Sequence, residues 1–413
     1  MATARPRERT ADALVVGGGV LGCAIAWNLA RLGAGHVVLC ERRELGAATT
    51  SRAAALLSGV RSEPAQTALA LETRRAILEL EEELGDDLAL HAVGSLHLAA
   101  SEESERNLLE LSRRAEACGE PLEWLTAAEA ADRVPWLRTE ETLRAGFLPR
   151  DGYIDPYLLA AAYARAARAR GVELRTGVEV LEVVAEGGRV RGAATSDGFL
   201  ATPMVIDAAG PWAGLLAARA GVHLPMAPVR SHYWITAVHP GFPADSPVVV
   251  LPDAAAYARP EVGGLLFGLR EADSLARDPR RLPEDLAALR FDEDPQGWDT
   301  LAECAPALVR FCPTLDDLAL AHYVSGPSTY TPDSRHVLGR LPSLDGFWAA
   351  AGCCGAGIAV SGGVGRALAL AALGLETPFD LEPFRPDRFG SVDAFDPDFL
   401  VRCAAGRSRK RSG

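Results

Sequence analysis

The sequence predicts a mixed α/β fold with an antiparallel sheet interleaved into it, and three observations carry that prediction. An apolar run, ALVV, ends in Gly17-x-Gly19-x-x-Gly22 and leads directly into AIAWNLARLGA. A second apolar run, HVVLC, is closed by Glu41, 19 residues after Gly22. Residues 225 to 320 are richer in proline and aromatics, with strand patterns and less helix, before the chain returns to a strand and a glycine-rich helix. The first two observations describe a Rossmann-like βαβ unit, and the third a separate layer that would carry the substrate.

The glycine spacing has a mechanical reading. Gly17 permits the tight strand-to-helix turn, Gly19 lets a pyrophosphate approach the backbone, and Gly22 lets the helix lie close on the sheet. The positive helix N-terminus, starting at Val20, then faces the phosphates. Glu41 can accept hydrogen bonds from a ribose hydroxyl, and Arg42 follows it at the same strand end. The strand before the turn, the helix after it and the acid at this distance together predict a dinucleotide site.

The following elements are ordered by their periodicity. QTALALETRRAILELEEELG has apolar positions at helical spacing with glutamates on the other face, SERNLLELSRRAEA reads as a second helix, and YLLAAAYARAARARG as a third leading into VELRT. From Val178 to Ala209 short alternating segments separated by GG and SDG predict a β-meander, ending in the strand MVIDAAG. VRSHYWITAV and GGLLFGLR are strand patterns in the second layer, and FWAAAG followed by GGVGRALALAALG closes the fold.

At 413 residues, with 48% apolar and 23% charged residues, the chain has the composition of a globular protein long enough for two domains. Its net charge of -13 argues against non-specific binding to nucleic acid or anionic lipid, so small molecules are the expected ligands. MATARPRERTAD has no apolar stretch of its own and FWAAAGCCGAGIAV is broken by glycines, which predicts a cytoplasmic protein without a membrane span. The eight cysteines show no CxxC and no zinc spacing, so reduced thiols and no metal site are expected. The one lysine, Lys410, falls in the basic segment AAGRSRKRSG, read as a tail, so no lysine is expected inside the fold.

Four further segments, ELGAATTSRAAAL, DGYIDPYLLAAAYARAARARGVEL, VIDAAGPWA and TPDSRHVLG...AAGCCGAGIAVSGGVGRALA, resemble the FAD-dependent amine and amino-acid oxidoreductases. That family includes D-amino acid oxidase, glycine oxidase and sarcosine oxidase. The resemblance spans residues 12 to about 388, and PVRSHYWIT and YARPEVGGLLFG are most similar to the flavin module of the dimethylglycine and sarcosine dehydrogenases. It implies FAD as cofactor and divides the chain into a cofactor domain (10–90, 146–222, 320–388), a substrate domain (91–145, 223–319) and a tail (389–413).

It also implies cofactor contacts. Thr49, Thr50, Ser51, Arg52 and Ala53 would run beside the pyrophosphate and flavin, Val180 would meet the adenine through its backbone, and Gly210 would lie along the cofactor. The turn Gly352, Cys353, Cys354, Gly355, Ala356, Gly357, Ile358 precedes a helix, where free N–H groups can stabilise negative charge on a reduced flavin. Dimethylglycine dehydrogenases attach FAD through a histidine in a TTxH segment; here TTSR puts Arg52 there, which implies non-covalent FAD. Sarcosine oxidases use a lysine near the flavin, and Arg52 is the nearest cation expected in its stead.

The implied reaction takes a hydride from the carbon beside an amine and leaves an imine that water hydrolyses, with oxygen or another acceptor receiving the electrons. Oxidation of a 2-hydroxy acid, or a non-catalytic FAD protein serving assembly, are the alternatives. In VRSHYWIT period-two alternation puts Arg230, His232 and Trp234 on one face and Ser231 and Tyr233 on the other, one of which should line the pocket. The related dehydrogenases have histidine at the place of Ser231, so His232 is either catalytic or structural. Tyr257 matches an active-site tyrosine of that branch and is otherwise a strand tyrosine. Arg259 either grips a substrate carboxylate or pairs with Glu261. His322 and Tyr330 either face the flavin or pack.

Overall fold

The structure, a computed structural model, describes residues 9–410. At its centre a six-stranded sheet runs in the order Val337–Arg340, Phe347–Ala351, Val205–Asp207, Ala13–Val16, Val37–Glu41, Glu173–Thr176. Every neighbouring pair is parallel except the first. Successive side chains of these strands serve different layers: Ala13, Val15, Val37 and Leu39 pack under helices, while Leu14, Val16, Val38 and Cys40 pack under the meander.

The helical layer consists of Val20–Arg31, Pro64–Leu84, Pro156–Ala169 and Ser361–Ala372. Pro156–Ala169 starts where Asp155 accepts from the N–H groups of Tyr157 and Leu158 and Pro156 pre-sets the first turn. Ser361–Ala372 can lie against its neighbours because its glycines carry no side chain: a Cβ on Gly363 would stand 2.2 Å from the carbonyl oxygen of Leu69. The predicted meander forms from Val180–Glu186, Arg189–Thr195 and Gly198–Ala201, a sheet of its own with Arg9–Thr10 at the edge, and Val205–Asp207 returns to the main sheet.

The second layer is an eight-stranded sheet, ordered Leu320–Tyr330, Ala227–Thr236, Gly264–Leu269, Ala256–Glu261, Val248–Leu251, Ser95–Ala99, Arg144–Leu148, Glu123–Leu125. Its pairs are antiparallel apart from Val248–Leu251 with Ser95–Ala99, the join between two distant stretches of chain. The architecture is the mixed α/β, Rossmann-type fold that the sequence predicts. All eight cysteines are free. No helix of the described residues is long and apolar enough to cross a membrane.

The C-terminal segment differs from expectation. Residues Pro397–Ser408 form a helix that Asp396 caps through the N–H of Phe399, and Phe399 and Cys403 are buried in a small core with Ala227. A basic sequence suggests a solvated tail, but the helix keeps an apolar stripe, and Arg407 finds a buried carboxylate in Glu271 at 2.6 Å. That docking carries Lys410 inward.

Candidate functional site

One cavity of about 750 Å³ joins the glycine turn to the inner face of the eight-stranded sheet, within the range of cofactor sites. Gly17, Gly19 and Val20 border it at the start of the Val20–Arg31 helix. Gly17 takes φ of +101°, and any Cβ there would lie 2.5 Å from the carbonyl oxygen of Ala208, so only glycine makes this turn. Gly22 lies behind the cavity wall. Its missing side chain lets the helix approach, since a Cβ would stand 1.9 Å from the Gly17 carbonyl oxygen.

Glu41 borders the cavity at the end of its strand, accepting from the Gly18 N–H at 2.7 Å and the Arg43 N–H at 2.9 Å. Both bonds hold the carboxylate at the mouth of the turn. Arg42 stacks on Trp212, 3.8 Å from its ring centroid, and donates to the Glu284 carbonyl, so this end of the cavity has a flat lid beside Val180 and Gly210. Thr49, Thr50, Arg52 and Ala53 line one wall from a short 3₁₀ turn. Thr50 Oγ1 accepts from the Val20 N–H at 3.1 Å, Thr49 donates to the Pro327 carbonyl, and Arg52 donates to the carbonyls of Ala47 and Ala48. Ser51 is exposed and bonds back within the turn rather than bordering the cavity.

At the opposite wall stand Gly355, Gly357 and Ile358, just ahead of the Ser361–Ala372 helix. Gly352 is not part of the lining; it packs on Val337 and Thr331. Cys353 borders the cavity, and Cys354 is buried behind it, where burial pushes its thiol up to about 12 and keeps it protonated.

The alternation in VRSHYWIT holds in part: Ser231 and Tyr233 line the cavity while Arg230 and Trp234 do not, but His232, from the face of Arg230 and Trp234, reaches it too. Ser231 Oγ is buried with no hydrogen-bond partner among the described residues. His232 borders the cavity, but its ring is fully buried between Glu271, 3.2 Å from Nε2, and Tyr323 Oη, 3.1 Å from Nδ1. Burial, helped by Arg407 and Arg230, depresses its pKa despite Glu271, so the ring is neutral. Burial pushes the Glu271 carboxyl up, but Arg407 and His232 outweigh it and hold the group ionised.

Tyr257 faces the cavity, and its ring fills the space that a Cβ on Gly268 would occupy, 2.2 Å away. Burial raises its pKa against the pull of Arg270, Arg407 and Arg259, so the phenol is a neutral donor. Arg259 does not border the cavity; it pairs with Glu261 and donates to the Ala54 carbonyl at 3.1 Å, the ion-pair alternative. Tyr330 lines the cavity and His322 is exposed on the same strand.

The expectation that no lysine lies inside the fold is overturned. Lys410 borders the cavity and donates from Nζ to the Cys354 carbonyl at 3.0 Å. Arg61, Arg270 and Arg407 also line this end. None of the four was legible as a site residue, since they come from three distant stretches of chain, around 61, around 270 and at 407–410, and only Lys410 was conspicuous, as the one lysine.

Comparison with known proteins agrees with the geometry. The profile of the family described as "FAD dependent oxidoreductase" matches residues 12–371. Mitochondrial sarcosine dehydrogenase of Homo sapiens is 31% identical over 88% of this chain and 40% of its own length. Glycine oxidase of Geobacillus kaustophilus is 32% identical over 90% of this chain and 96% of its own. The solved structure of L-proline dehydrogenase from P. horikoshii superposes with a TM-score of 0.82 at 25% identity, covering 92% of this chain and 98% of that one. The chain thus spans about two fifths of the length of the sarcosine dehydrogenase it matches.

Proposed function

This chain belongs to the FAD-dependent oxidoreductase family, and from that premise we propose that it oxidises an amine or amino acid, such as an N-methylated one, at the carbon beside nitrogen. One observation carries the reading: a single cavity joins the glycine turn to a wall bearing Tyr257, Ser231 and several cations. The cofactor, FAD, supplies the acceptor for the hydride when bound, leaving an imine that water hydrolyses.

The residues present fit that cofactor. The Gly17–Gly22 turn and the first turn of the Val20–Arg31 helix would hold the pyrophosphate, with N–H groups that have no carbonyl one turn back within the helix. Glu41 would accept from the ribose, Arg42, Val180 and Gly210 would border the adenosine half, and Thr49 to Ala53 would flank the middle. Gly355, Gly357 and Ile358 would present backbone to the flavin, with Gly352 and Gly22 as packing support. Arg52 stands where related dehydrogenases carry the attaching histidine, which supports non-covalent retention.

Tyr257 is the residue we assign to direct substrate contact, as a neutral donor that orients the amine or its carboxylate. His232 acts as a positioning residue of the same sheet, locked by Glu271 and Tyr323. Arg259 positions the wall through the Ala54 carbonyl. Ser231, unpartnered at the cavity, can accept from or donate to the amine. The two sheets support a cofactor domain of 10–90, 146–222 and 320–388 and a substrate domain of 91–145 and 223–319. Arg144–Leu148 crosses the boundary at 145/146, and Leu320–Tyr330, inside the range given to the cofactor domain, pairs in the eight-stranded sheet with Ala227–Thr236. A cytoplasmic location is part of the same reading, supported by eight free thiols.

The test is anaerobic mixing of the FAD-loaded protein with N-methyl amino acids, D-amino acids, cyclic amines and 2-hydroxy acids, followed by air. Bleaching of the flavin by one amine class is the expected outcome, and the speed of recovery in air separates oxidase from dehydrogenase. Bleaching by hydroxy acids alone, or none with a flavin that dithionite reduces, would refute the reading.

A further inference from the structure

The nucleotide end of the cavity is bounded on one side by a loop that belongs to the other layer. Residues 278–292 leave the eight-stranded sheet after Gly264–Leu269 and run to the helix Trp298–Val309. The two ends of the loop are tied together, because Arg277 donates to both carboxylate oxygens of Glu293, at 2.8 and 2.5 Å. The Arg277 N–H also donates to the Pro228 carbonyl at 2.8 Å, which fixes this neck to the sheet. A compact loop with its ends held together is an Ω-loop, able to swing as a unit about its neck.

Asp278 and Asp285 shape the loop from within. They cap the short turns Pro279–Arg281 and Leu286–Ala288 by accepting from the N–H groups of Arg280 and Ala287. The first turn lies beside the helix Ala213–Arg219, and Arg280 sits over the Phe395 ring, 4.9 Å from its centroid, so the base of the loop is anchored. The tip reaches over the cavity: Leu282, Glu284, Asp285 and Leu286 all border it. Two polar contacts fasten this tip to the cofactor side, one from Arg42 to the Glu284 carbonyl at 2.8 Å and one between Arg43 and Asp285 at 3.0 Å. Both arginines directly follow Glu41, so the tip is fastened beside the place of the ribose. The side chains of Arg43 and Asp285 are 50% and 44% exposed, and an ion pair that exposed is weak enough to open readily.

We propose that residues 278–292 form a latch over the nucleotide end, fastened by Arg43 and Asp285, which FAD must pass to enter or leave. The pair is made between protein groups alone, so the latch opposes entry as well as exit. It sets how fast the non-covalent cofactor exchanges rather than how tightly it is held. The opposite charges of the two residues separate this role from a direct electrostatic one. Loss of the positive charge would weaken binding of the anionic pyrophosphate and loss of the negative charge would strengthen it, whereas loss of either one opens the latch.

The experiment measures two rates by flavin fluorescence: release of FAD from the loaded protein into an excess of a scavenging apoflavoprotein, and uptake of FAD by the protein stripped of flavin. Arg43→Gln and Asp285→Asn, the latter keeping an acceptor for Ala287, are each expected to speed release and uptake by about two- to fivefold, with Kd held within about twofold. The double variant is expected to be no faster than the singles, because both remove one contact. Rates equal to wild type in both variants would overturn the proposal. So would release that quickens in one variant and slows in the other, which would assign the pair to the field around the phosphates, or faster release at unchanged uptake, which would assign it to cofactor contact. The latch rests on FAD as the cofactor and not on the substrate: a protein that takes up no FAD would overturn it, while failure of every amine to bleach the flavin would refute the amine reading and leave both rates measurable.

Discussion

The two ends of the cavity are built by different means. At the nucleotide end, Gly17, Gly19, Gly22 and Glu41 come from one βαβ unit, and backbone does most of the shaping: the Gly18 N–H, the helix start and a turn that excludes any Cβ. At the inner end, Arg61, Tyr257, Tyr330 and Lys410 come from four separate stretches of chain, and side chains do the shaping. A backbone-built end tolerates few substitutions because the backbone cannot move aside. The side-chain-built end can change its ligand by exchanging single residues.

The sharpest way to break the nucleotide end is Gly22→Val. Its Cβ would stand 1.9 Å from the Gly17 carbonyl oxygen, and we expect about 5 kcal/mol of destabilisation or loss of bound flavin. Absorbance at the flavin band per mole of protein, with a denaturant curve, measures it; full flavin occupancy would contradict the close-approach argument.

Next in size is Asp207, in the floor of the same end. Burial raises its carboxyl to about 7, opposed only by the Ala209 N–H, and Oδ2 has no partner among the described residues. Its folded pKa lies above the unfolded value of about 3.9. The folded state therefore binds more protons between these limits, and stability falls as pH rises from about 4 to about 7. Asp207→Asn keeps an acceptor for Ala209 and cannot ionise. It should gain on the order of 4 kcal/mol above pH 7 and little at pH 4, from about 1.36 kcal/mol per unit. Unfolding curves of wild type and variant across pH decide it, and a pH-independent difference would count against the assignment.

At the inner end the expected effects are smaller. Tyr257→Phe should slow anaerobic flavin reduction by about 10- to 100-fold while flavin content is kept. Stopped-flow reduction with the amine found in the panel measures this. Unchanged rates would demote Tyr257 to a strand tyrosine.

Legibility followed the same division. The glycine turn, Glu41, the meander and the alternation of Ser231 and Tyr233 were legible because spacing and period are local properties of the backbone. The fate of Arg259 was half legible, since an arginine two residues from a glutamate on one strand face can pair with it. Ser51 and Gly352 fell outside the cavity because neighbours in a short turn alternate between lining and packing. The largest miss was Lys410. Its charged surroundings resemble a solvated tail, and only the burial of Phe399 and Cys403, with the Arg407 and Glu271 pair, turns that helix inward.

By itself the sequence determined the α/β architecture, the nucleotide turn and the face of the pocket strand, because each depends on residues a few positions apart. The tertiary structure alone decided which cations share the inner cavity. That choice depends on how a loop at residue 61, a strand at 257 and a helix ending at 408 dock together, and electrostatics in a buried space respond to distance through the fold rather than along the chain.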